Sequence, residues 1–141
     1  MSHGYSEIGW KKLIKKRKDY SVMDLADSYV GKILFHSIDW HGNSFLPGDI
    51  ADFLEDDNRS EVREGFFFAA IHSPGIHIID AEGSVERNLA NRYGEKAGKM
   101  DDEGYVEVAA MLRRIQSYFM ESADEIVCRF QDRQFVQRVN A

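Results

Sequence analysis

His72 and His77 are the residues whose type and spacing point most directly to chemistry. They flank Ser73-Pro74-Gly75-Ile76 inside a run of aromatic and β-branched residues that extends from Glu64 to Asp80. With Pro74-Gly75 as the tight turn of a hairpin, His72 faces His77 across two strands. Paired imidazoles beside a carboxylate are the start of an acid–base or metal site, and His36, His41 or Asp39 on a neighbouring strand would complete one. Zinc sites announce themselves with closer ligand pairs and with cysteines, so packed or hydrogen-bonded histidines are the preferred reading, and no metal or cofactor is assigned.

The remaining nucleophile candidates are weaker. Cys128, the single cysteine, stands in the alternating stretch Ile126 to Phe130, where it reads as a small buried hydrophobe with no base beside it. Ile71-His72-Ser73 and His36-Ser37 set serine next to histidine, but strand neighbours point to opposite faces and make no catalytic pair. Signatures for phosphate loops, dinucleotide binding, nucleophile elbows and H-E-x-x-H zinc sites are all missing from the sequence. No catalytic residue is assigned.

Charge is distributed more informatively. The formal net charge of −6 conceals a basic segment over residues 1–20, where Lys11, Lys12, Lys15, Lys16, Arg17 and Lys18 outweigh Glu7 and Asp19. An acidic belt follows over residues 49–64. On a short helix beginning near Asp49, Asp52 and Asp56 are like-charged i, i+4 neighbours, and Asp56 and Asp57 lie where the helix C-terminus already carries negative partial charge. A sequence selected for stability alone would place lysine there. Asp52, Glu55, Asp56, Asp57, Glu61 and Glu64 are therefore the candidate partner-binding residues, against the plainer reading of an ordinary solvated face.

The elements that position these groups are read from periodicity. Residues 6–18 predict a basic N-terminal helix with Ile8, Trp10, Leu13 and Ile14 on its apolar side, and Val22 to Ser28 a short helical turn. Tyr29 to Trp40 is read as a first strand. Asp49 to Asp57 gives a short helix, residues 65–80 the central hairpin, and Ser84 to Tyr93 a helix stopped by Gly94. Residues 94–104 are read as a charged loop. Tyr105, Val108, Ala109, Leu112, Ile115 and Phe119 mark the clearest helix, and residues 125–140 are read as two further strands in preference to a helix, which Ile126, Val127, Phe130 and Phe135 also suit. The expectation is one α+β domain over residues 1–141, with helices packed mainly on one face of a largely antiparallel sheet.

At 141 residues, the chain is long enough to bury roughly 68% of its unfolded surface, and no apolar run reaches the roughly 20 residues of a membrane span. A single cysteine and no apolar leader place it in the cytoplasm. These features predict a small acidic cytoplasmic binding protein that neutralises a basic protein partner. Its most specific form is a bacterial immunity protein that inhibits a nuclease toxin, an expectation that rests on size and charge. The alternatives are an enzyme using His72 and His77 with a nearby carboxylate, and a regulator that contacts nucleic acid or membrane through the basic N-terminal helix.

Overall fold

The computed structural model describes residues 22–38, 46–75 and 80–139. They form helix α1 (Val22–Ser37), α2 (Gly48–Glu55), a single 3-10 turn (Asp57–Arg59), α3 (Ser60–His72), α4 (Ser84–Asp102) and α5 (Val106–Val139). No strand occurs among the described residues, whose regular structure is all helical, and the expected α+β fold with its antiparallel sheet is corrected. The predicted N-terminal helix, His41, Asp39 and His77 lie outside the described residues.

The central segment shows why. Val62, Gly65, Phe66, Ala69 and Ala70 are the buried residues of α3, spaced i, i+3, i+4, i+7 and i+8, which is one stripe of a helix. The aromatic run Phe66-Phe67-Phe68 resembles a doubly buried strand. On the helix it fans out instead, with Phe66 buried, Phe67 half-buried and Phe68 exposed.

Residues 29–37, expected as a strand, continue α1, and glycine decides their packing. A β-carbon on Gly31 would lie 1.9 Å from the Val62 carbonyl oxygen, and one on Gly65 would lie 1.9 Å from the Ser28 carbonyl oxygen. The two helices therefore meet backbone to backbone, a separation that any side chain at either position forbids. Phe35 closes the joint edge-on against Phe66, with ring centroids 5.3 Å apart.

Helices α4 and α5 form an antiparallel pair. Gly83 approaches Ala123 at one end, Gly94 abuts Gln116 in the middle, and Asp101 pairs with Arg113 at the other. Gly94 does not end α4 as expected. It lets the Gln116 side-chain amide lie against the helix, 2.5 Å from where a β-carbon would stand. The turn after α4 is a Schellman-type closure, with Gly104 at φ 89° and N–H bonds from Gly104 to the Asp101 carbonyl and from Tyr105 to the Met100 carbonyl.

Val108, Ala109, Leu112, Ile115, Phe119 and Ala123 line the buried side of α5, and residues of all five helices except Ala123 belong to one apolar core cluster with it. The helix runs straight through the two strands expected near the C-terminus. Ala123 is the last buried residue described on it, and Cys128 is exposed rather than buried. The outer side of α1 is apolar and open: Val22, Leu25, Tyr29 and Ile33 are more than half exposed, as is Phe68 beside them on α3. No described helix is long and apolar enough to cross a membrane.

Candidate functional site

Leu46, Ala51 and Leu54 are buried, and anchoring α2 by that stripe turns Asp49, Asp52 and Asp56 outward. Pro47 occupies the N-cap position, and the Asp49 carboxylate accepts the Ile50 N–H at 2.9 Å. Asp56 then leaves helical geometry, and its side chain accepts the Asn58 N–H at 2.9 Å, which starts the 3-10 turn. Arg63 reaches back from α3 to donate to the carbonyls of Leu54 and Asp56 at 2.7 and 2.8 Å. The Leu54 carbonyl, left without a donor by the end of α2, is thereby satisfied, and that of Asp56 also accepts the Arg59 N–H.

Two acids of this belt turn across to α5. The Glu55 carboxylate accepts the Glu107 N–H at 2.8 and 2.9 Å and the Val108 N–H at 3.1 Å. It thus caps a helix some fifty positions away in sequence, with its charge on the favourable end of that helix. The Tyr105 hydroxyl donates to Asp52 at 2.7 Å. That bond pushes the Tyr105 pKa upward, and the charges of Asp52, Glu103 and Glu55 push the same way. Three acids from two chain segments therefore surround one phenol.

The result is an acidic pole where α2 and α4 end. Asp52, Glu55, Asp56 and Asp57 come from one side, and Asp101, Asp102, Glu103 and Glu107 from the other. Arg63 lies 3.8 Å from Glu107, Arg113 pairs with Asp101, and Arg59 stacks over the Phe53 ring at 4.4 Å. Two helix C-termini add their negative partial charge to that of the carboxylates. Asp57, Asp102 and Glu103 face solvent.

No known protein family, curated protein or solved structure matches the chain.

The six acids chosen from the sequence thus separate into groups. Asp52 and Glu55 bind elements of the protein itself, and Asp56 combines a capping role with an exposed position. Asp57 stands at the pole. Glu61 is half-buried in the first turn of α3, and Glu64 pairs with Arg114 of α5 at 2.6 Å. The acids of residues 101–107 were missed because 94–104 reads as a solvated loop and Glu107 as merely off the apolar face. Their signal was the triplet Asp101-Asp102-Glu103 immediately ahead of a glycine.

His72 lies on a helix rather than in the expected strand, and His77 lies outside the described residues. His72 ends α3, exposed, with Nδ1 2.8 Å from the Phe68 carbonyl oxygen and its ring 4.3 Å from that of Phe68. Among the described residues no group of three histidine, cysteine or acidic side chains is arranged to hold a metal ion.

Proposed function

We propose that this is a binding protein that captures a basic protein partner through the acidic pole. The observation that carries this reading is the convergence of two acidic segments, residues 52–57 and 101–107, where α2 and α4 both terminate. Glu55 and Glu107 stand favourably at the N-terminus of α5, but Asp102 and Glu103 at the C-terminus of α4 oppose its dipole, which works locally against stability. A cationic partner would relieve it. Such complementarity accelerates encounter and disfavours acidic competitors. Asp56, Asp57, Asp102 and Glu103 make the contact in this reading, Asp52 and Glu55 hold the pole together, and Glu61 and Glu64 extend it along α3.

Its narrowest form is a bacterial cytoplasmic immunity protein that blocks a nuclease toxin, whose active surface is cationic because its substrate is anionic. Size and charge are the support for that form, together with a single cysteine that suits a reducing compartment. The test is a pull-down from source-cell lysate with the tagged wild type and with the variant D56N/D57N/D102N/E103Q, both checked for helicity by circular dichroism. The expected result is a basic protein retained by the wild type, released by salt, and bound at least about tenfold more weakly by the variant. Equal retention by both forms, or no basic protein with either, overturns the reading.

A further inference from the structure

On the flank of the bundle away from the acidic pole, Phe35 of α1, the turn after α3 and one face of α4 enclose a cleft of about 260 Å³. Its apolar surface comes from Phe35, Pro74, Leu89 and Tyr93. Phe35 and Tyr93 are almost wholly buried. Both rings are fixed, Phe35 by its edge contact with Phe66 and Tyr93 by stacking on Phe119 at 6.0 Å and 16°. The Ser73 side chain bonds the Tyr93 hydroxyl, and burial raises the Tyr93 pKa above its ordinary value. The floor is preformed, which is the usual state of small-molecule sites.

The polar groups of the cleft are asymmetric. Arg92 and Lys96 stand one turn apart on α4 and line the same side. Burial, followed by the positive charges of Lys99 and Arg92, draws the Lys96 pKa down, while Glu95 opposes the shift. No carboxylate of the described residues lines the cleft. An apolar floor with two cations on one wall matches a ligand that has an apolar body and an anionic end. The Arg92 guanidinium is suited to hold a carboxylate by two hydrogen bonds, with Lys96 adding a point charge.

We propose that this cleft binds a small amphipathic carboxylate, its hydrocarbon body against Phe35, Leu89 and Tyr93 and its carboxylate between Arg92 and Lys96. The volume lies just under the usual range for drug-sized ligands, so the occupant has on the order of ten non-hydrogen atoms and binds with a Kd on the order of 0.1–1 mM. This site is independent of the acidic pole and of the partner proposed for it.

The test titrates the full chain with 3-phenylpropanoate, followed by amide NMR. Parallel arms use 3-phenylpropanamide, which keeps the body without the charge, and inorganic phosphate, which keeps the charge without the body. Two variants accompany the wild type: R92Q/K96Q removes the cations, and L89W fills the cleft with both cations intact. Expected are saturable shifts centred on residues 73–75 and 89–96 with 3-phenylpropanoate, and binding about tenfold or more weaker for the amide, for phosphate and for each variant. Absence of saturation up to about 10 mM overturns the proposal. So does equal binding of the amide or of phosphate, or unchanged binding by L89W.

Discussion

Glycine has opposite consequences at different positions of this bundle. Gly65→Ala forces a methyl group into the Ser28 carbonyl, and Gly31 is equally confined by Val62. The expected loss for Gly65→Ala is about 3 kcal/mol, measured by urea denaturation. Gly98, inside α4, has nothing within 4 Å of where its β-carbon would lie. Gly98→Ala should stabilise the protein by about 0.5–1 kcal/mol in the same assay, because alanine is the better helix former. Asp80 gives a pH-dependent counterpart. Its carboxylate accepts the Ser84 N–H at 2.8 Å, and this bond, with that from the Ser84 hydroxyl, draws its pKa below the ordinary value. A carboxylate with a lowered folded-state pKa adds stability above its unfolded pKa and loses it as pH falls through the folded value. Asn can replace Asp as a cap without the charge. Asp80→Asn should therefore melt below the wild type at pH 7, with the two melting temperatures converging below about pH 4.

Among the helices, α2 and the first half of α5 were legible in the sequence because their apolar residues repeat on one face without interruption. Helix α3 was not. Its stripe starts at Val62, outside the aromatic run, and includes a glycine and two alanines whose burial reflects close helix contact rather than hydrophobicity. Reading the run from Glu64 hid the period. Helix α1 misled for a related reason, since Tyr29, Val30, Ile33 and Phe35 carry strand propensity, which tertiary packing overrides. The acidic belt was visible, but half of the pole lies some fifty residues further on and is joined to it by contacts that no local pattern encodes. The open side of α1 yields its own expectation. Tyr29 and Ile33 are 64% and 65% exposed, so Tyr29→Ser with Ile33→Ser should change the unfolding free energy measured in urea by no more than about 0.5 kcal/mol per site.

For the molecule as a whole, stability and recognition share residues at the pole. Glu55 joins α2 to α5 by capping it, so Glu55→Ala should cost about 1–2 kcal/mol in thermal or urea unfolding, while an exposed acid such as Asp102→Asn costs almost nothing. That contrast separates an acid that holds the fold from one free to meet a partner. Helix α5 is the common wall against which α2, α3 and α4 all pack. It is also the last described helix to be synthesised. At cellular rates of about 5–20 residues per second, its 34 residues take roughly 2–7 s to emerge. During those seconds α1 can already close on α3 through its glycines, while the apolar sides of α2, α3 and α4 wait uncovered. The nascent chain is therefore most prone to misassociation while α5 is being made, and binding by a chaperone matters most in that interval.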